Sequence, residues 1–200
     1  VPEQLEDAIV SVEDRRFYNH IGVDPIRIVG SAVSNITSDD MQGGSTLTQQ
    51  LVKLSFFSTS AKDQTLRRKA QEAWMSVQLE QEKSKQEILT YYINKVYMSN
   101  GLYGMETASE VFYDKSLEEL SLPQTALIAA LPNSPTNSDP YVYPDAAKNR
   151  RDTVLYTMLE NEKINQQEYE KAISTPIDDG LQEDISQDVD DWTYYDNYIQ

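Results

Sequence analysis

The sequence predicts a mainly α-helical fold, and three observations carry that prediction. Apolar residues recur at helical spacing along most of the chain, residues that start helices precede those stretches, and no convincing alternating run marks a strand.

The elements follow in order. Leu5, Ala8, Ile9 and Val12 fall at i, i+3, i+4, i+7, the apolar face of a helix ending near Glu13. Asp24-Pro25 is an N-cap with proline at the first helical position, and Ile26, Val29, Val33 and Ile36 supply the stripe behind it. Residues 37–44 read as loop, and Thr46 with Gln49 forms a capping-box pattern for a short helix through Lys53. Leu66, Ala70, Ala73, Trp74 and Val77 mark a longer helix over about residues 62–83. Ser84 with Glu87 caps the next, which carries Ile88, Leu89, Tyr92 and Val96. After a loop at 99–104 come shorter helices, one introduced by Ser121-Leu122-Pro123-Gln124 and closed near Pro132. A loop rich in Pro, Asn and Ser spans 132–144, followed by helices over about 145–161 and 165–173.

Composition narrows the function classes. The 200 residues carry a net charge of −16, and hydrophobic residues make up 39%, ample for a core. From Asp178 onward there are eight acids and no Lys or Arg, leaving −8 for residues 1–177. The domain is therefore expected over 1–177, with 178–200 an acidic linker or the start of another domain. An acidic chain is a poor partner for nucleic acid, whose phosphates need clustered basic residues. The basic residues that do cluster are Lys53, Lys62, Arg67, Arg68 and Lys69, a local anion site in an acidic protein. The absence of Cys excludes disulfides and thiolate metal sites. No apolar run approaches the roughly 18–20 residues of a transmembrane helix. Val1 in place of Met predicts a segment taken from a longer chain, whose anchor could lie outside it.

Two stretches read like halves of one active site: Glu13-Asp14-Arg15-Arg16-Phe17 running on to His20-Ile21-Gly22, and Gly43-Gly44-Ser45-Thr46-Leu47-Thr48-Gln49-Gln50-Leu51-Val52-Lys53. The first sets a carboxylate at the end of an apolar helix beside Val12 and Phe17, where burial would raise its pKa towards that of a general base. The second feeds a helix whose outward positions are expected to be hydroxyls, amides and a lysine, suited to a sugar and an anion. His20, the single histidine, reads as a hydrogen-bonding strut. Arg68, Lys69 and Glu72 share a face away from the Leu66/Ala70/Ala73/Val77 stripe. Spacing alone equally describes a solvated salt-bridged face worth about 0.3–0.5 kcal/mol per pair. Opposite Lys53, the same cations could bind a pyrophosphate, with Glu72 positioning a sugar or a divalent metal. Gly43-Gly44 lacks the spacing of a nucleotide-binding loop, and Tyr91, Tyr92, Tyr97 and Tyr103 suit a sugar groove or half-buried packing equally.

Taken in order, these segments resemble one family, the peptidoglycan glycosyltransferase domain of class A penicillin-binding proteins. The resemblance rests on Glu13-Asp14…Phe17…His20…Gly22, Gly44-Ser45-Thr46-Leu47-Thr48-Gln49-Gln50-Leu51…Lys53, Arg68-Lys69…Glu72, Lys85…Glu87-Ile88-Leu89…Tyr92-Ile93-Asn94 and Arg150-Arg151…Val154-Leu155. Leu54, Asp114 and Gln124 depart from residues common in the family, which leaves the chemistry intact but makes the local loops less family-like. The resemblance implies a lysozyme-like fold with a larger head lobe and a smaller jaw lobe, about residues 21–42, that meets the membrane surface. It implies polymerisation of lipid II onto a growing glycan strand by inverting transfer, with release of undecaprenyl pyrophosphate. Glu13 would be the base, and Lys53, Arg68, Lys69 and Arg151 would hold the pyrophosphate. Glu72 would assist at the donor sugar or a divalent cation (Mg or Mn), and Ser45, Thr46, Gln49, Gln50 and Asn94 would bind substrate. No organic cofactor is implied. An N-terminal membrane anchor, a C-terminal transpeptidase domain and a location on the outer face of the bacterial cytoplasmic membrane complete the expectation.

Overall fold

In a computed structural model of the chain, residues 1–30, 44–57, 65–183, 185 and 189 are described. They form helices α1 (Glu3–Glu13), α2 (residues 25–30), α3 (Leu47–Phe56), α4 (Leu66–Glu82), α5 (Lys85–Lys95), α6 (Met105–Tyr113), α7 (Leu122–Ala130), α8 (Pro144–Glu160) and α9 (Gln166–Ser174). Among the described residues no strand forms beyond the isolated bridges Ile21–Val23 and Tyr97–Tyr103, as a mainly α fold requires. The chain divides into two compact units, Val1–Arg15 with Ile93–Gln200, and Arg16–Tyr92.

The first unit follows its sequence pattern. Leu5, Ala8 and Ile9 of α1 are buried, and α1 packs against α7 and α8. The α7 helix is apolar on every side and buried throughout from Gln124 to Ala130, the signature of a central helix. Its start, where the sequence places it, carries a capping box, Ser121 with Gln124. The Gln4 amide donates to Thr125 Oγ1 at 2.7 Å, tying α1 to α7. A second capping box, Asn165 with Glu168, starts α9. Asp114, where the family commonly has Gly, ends α6 in the left-handed region at φ 52°, which accounts for that preference.

Past the boundary expected at 177, the chain still touches the first unit. The Gln182 amide donates to the Phe112 carbonyl at 2.8 Å, and the Gln124 side chain donates to the Asp179 carbonyl at 3.2 Å. The chain thus stays packed on the first unit through Gln182. Negative charge alone does not stop a segment from satisfying its backbone on a neighbour.

In the second unit, Asp24 caps α2 as predicted: Oδ1 accepts from the Ile26 and Arg27 amides, and Oδ2 pairs with Arg16 Nε at 3.1 Å. Ile26 and Val29 of the expected stripe are exposed, while Val33, Ile36 and the rest of the jaw to residue 42 lie outside the described residues. The larger departure is α4. Leu66, at 90% exposure, and Trp74, at 67%, face outward, whereas Arg68, Glu72 and Ser76 are buried. The apolar stripe correctly marks a helix, but the polar face is the inner one.

Gly22 shows how tightly that inner face is packed. It adopts φ 83°, and a Cβ there would meet the Ser76 carbonyl carbon and oxygen at 2.5 Å. The Gly22 carbonyl accepts from Thr46 Oγ1 at 2.6 Å, so one glycine joins the first-motif loop, the start of α3 and the middle of α4.

Candidate active site

Around the N-terminal half of α4 the second unit assembles Ser45, Lys53, Arg68, Lys69 and Glu72. A small cavity is lined by Lys53, Thr65, Arg68, Lys69 and Glu72. Local folding explains the arrangement: Arg68 and Glu72 lie one turn apart on the inward face of α4, and Lys53 lies in the last turn of α3.

Glu72 is 1% exposed, and both of its oxygens are taken. Oε1 accepts from Arg68 Nε at 2.9 Å, and Oε2 accepts from Lys69 Nζ at 2.8 Å. Lys69 Nζ also donates to Ser45 Oγ at 3.3 Å. The Arg68 guanidinium lies over the Phe57 ring, 5.2 Å from its centroid. Its Nη1 and Nη2 are buried and find no hydrogen-bond partner among the described residues. A buried fork whose outer nitrogens have no partner among the described residues, beside Lys53, could receive an oxyanion. Its described lining sets three cations against one carboxylate, a net positive charge in an acidic chain.

Both oxygens of Glu72, the residue expected at a divalent cation, accept from cationic side chains, and among the described residues no group of three or more His, Cys, Asp or Glu lies close enough together to hold a metal.

Several expected substrate contacts are structural. Thr46 is fully buried; its Oγ1 accepts from the Gln49 amide, and its own amide donates to Gln49 Oε1, closing the capping box. Thr48 and Gln49 are buried as well, so α3 turns hydroxyls and an amide inward rather than towards a cleft. Gln50 is half-buried and accepts from Tyr92 OH at 3.3 Å. Gly43 lies outside the described residues.

Glu13, Asn94 and Arg151 belong to the first unit. Glu13 closes α1 with only 7% of its surface exposed. Asn94 is exposed near the end of α5. Arg151 is a correction: it is 1% exposed and every donor is spent inside the unit. Nη1 donates to the Thr175 and Pro176 carbonyls, Nη2 to Asp152 and the Ile173 carbonyl, and Nε to Asp152. It fastens the end of α9 to α8 and has no donor left for a pyrophosphate.

Sequence reasoning passed over Phe57, Thr65 and Glu80. Glu80 is the informative omission, because positions 68, 72, 76 and 80 repeat every four residues and trace the inner face of α4. His20 is the strut expected of it, with Nδ1 3.4 Å from Lys85 Nζ.

The model of the Transglycosylase family matches residues 1–159. Penicillin-binding protein 1A of Streptococcus pneumoniae is 55% identical over all 200 residues, and that of Streptococcus oralis is 59% identical over 183 residues, 91% of this chain. The chain spans 28% and 29% of the length of those two relatives. A crystal structure of penicillin-binding protein 1A from Haemophilus influenzae is similar at 28% identity and a TM-score of 0.46, over 66% of this chain and 16% of that one.

Proposed function

Because the chain belongs to the Transglycosylase family, we propose that it polymerises lipid II into peptidoglycan glycan strands. The 4-hydroxyl of an incoming GlcNAc attacks C1 of the lipid-linked MurNAc, and Glu13 takes the hydroxyl proton. The C1–oxygen bond to pyrophosphate breaks with inversion, and undecaprenyl pyrophosphate leaves with the bonding pair. The single observation that carries this reading is the buried Arg68 fork with Nη1 and Nη2 unspent, in a cavity shared with Lys53 and Lys69. A pyrophosphate leaving group is a weak base and needs charge neutralisation rather than a protonating acid, so one carboxylate base with a cation cluster suffices. A glycan hydrolase must protonate a sugar leaving group and has no use for three cations. Glu72 acts by holding Arg68 and Lys69 in place.

The substrate's lipid tail calls for a membrane surface. Ile21, Ile26, Ile28, Val29, Phe56, Leu66 and Trp74 of the second unit are exposed large apolar residues, which supports a membrane-facing role wider than the expected jaw. No helix among the described residues is long and apolar enough to cross a membrane. On this reading the full-length protein supplies the anchor, carries a transpeptidase domain and works on the outer face of the bacterial cytoplasmic membrane.

Incubation with lipid II and sizing of the product tests the proposal. Wild type yields glycan polymer. Glu13→Gln, nearly isosteric, keeps its melting temperature while the rate falls by about 10²–10⁴, the usual worth of a general base. A folded Glu13→Gln retaining more than about a tenth of the wild-type rate removes Glu13 from that role.

A further inference from the structure

Glu80, which the reaction does not use, anchors a buried network at the far end of the α4 inner face. Its side chain is 5% exposed. Oε1 accepts from Thr48 Oγ1 on α3 and from Lys85 Nζ on α5, the latter at 2.7 Å, and lies 3.8 Å from His20 Nδ1. Lys85 Nζ also sits 4.5 Å from the centre of the Phe17 ring. One carboxylate thus joins α3, α4, α5 and the loop that follows the first motif.

The cavity explains why such an anchor is needed. Among the described residues of the lining, the three cations Lys53, Arg68 and Lys69 are met by one carboxylate, Glu72, a net positive charge that tends to push α3 away from α4. Across the cavity itself the link from Lys69 to Ser45 is exposed and 3.3 Å long, a weak tie. The Thr48–Glu80 bond is part-buried and charge-assisted, and it joins the same two helices about one turn before Lys53. From this geometry we infer that Glu80 is a positioning residue that holds Lys53 opposite Arg68 while the site is empty, preorganising it for a pyrophosphate group. The inference rests on the reading of the cavity as a pyrophosphate site.

Titration of inorganic pyrophosphate into the wild-type chain, Glu80→Gln, Thr48→Val, Lys53→Ala and the Glu80→Gln/Lys53→Ala double variant tests it. Glu80→Gln raises Kd about tenfold, a common coupling within one network, and Thr48→Val, which leaves the Glu80–Lys85 pair intact, raises it less. In the Lys53→Ala background Glu80→Gln adds less than about a twofold change, because the residue being positioned is gone. A merely structural Glu80 weakens binding equally in both backgrounds, and that additivity overturns the assignment. So does wild-type affinity in both Glu80→Gln and Thr48→Val. If Glu80→Gln does not fold, Thr48→Val decides, and wild-type affinity there overturns the assignment. If Lys53→Ala binds pyrophosphate as wild type does, the cavity reading itself fails and this inference falls with it. Loss in Lys53→Ala with full affinity in Glu80→Gln removes Glu80 alone.

Discussion

Helices α1 and α4 announce themselves in the sequence by the same signal, and the structure uses them in opposite ways. In α1 the periodic apolar residues Leu5, Ala8 and Ile9 face the interior. In α4 the periodic apolar residues Leu66 and Trp74 face out, and Arg68, Glu72 and Ser76 face in. Both helices have two faces that differ in polarity, and periodicity reports only that difference. Which face is buried depends on what it meets. The partners of α1 are the apolar helix α7 and α8, which buries Ala147, Val154, Leu155 and Met158, whereas the inner face of α4 meets Gly22, Thr48, Lys85 and a cationic cavity. Burying charge in this way is costly unless it is paired, and on the inner face of α4 the Nη1 and Nη2 atoms of Arg68 have no hydrogen-bond partner among the described residues, which suits a ligand there.

The contrast breaks most sharply through stability. Ile9→Ala removes a fully buried side chain from α1 and should cost about 2–5 kcal/mol in denaturant unfolding. Leu66→Gln and Trp74→Gln, on the outward face of α4, should each change stability by less than about 0.5 kcal/mol in the same measurement. A destabilisation at Leu66 or Trp74 comparable with that at Ile9 would mean that the α4 stripe packs into a core after all.

Much of this architecture was legible. Capping signals located the starts of α2, α3, α5 and α7, because a side chain that satisfies orphan amides acts locally and needs no tertiary context. That Lys53, Arg68, Lys69 and Glu72 come together was also legible, since the motifs that carry them stand in order and the four residues line one cavity. The employment of a polar residue was not. Thr46 and Gln49 were legible as a capping box, but the burial that takes them out of a substrate cleft was not. Arg151 looks like a phosphate ligand and ties down α9. Glu80 looks like a surface acid and lies at the centre of a buried network. A polar side chain satisfies itself wherever a partner lies, and for these residues the partner is set by three-dimensional packing beyond the reach of local spacing.

The central claim is that the inward face of α4 is an anion site whose unspent donors belong to Arg68. Its most direct test is titration of inorganic pyrophosphate into wild type, Arg68→Lys and Arg68→Ala. Removing one charge-assisted hydrogen bond should cost about 1.5–3 kcal/mol, roughly one to two factors of ten in Kd. Arg68→Ala should therefore lose most of its affinity, and Arg68→Lys should fall between the two, because an ammonium keeps the charge but not the fork. Equal affinity in wild type and a folded Arg68→Ala would contradict the account.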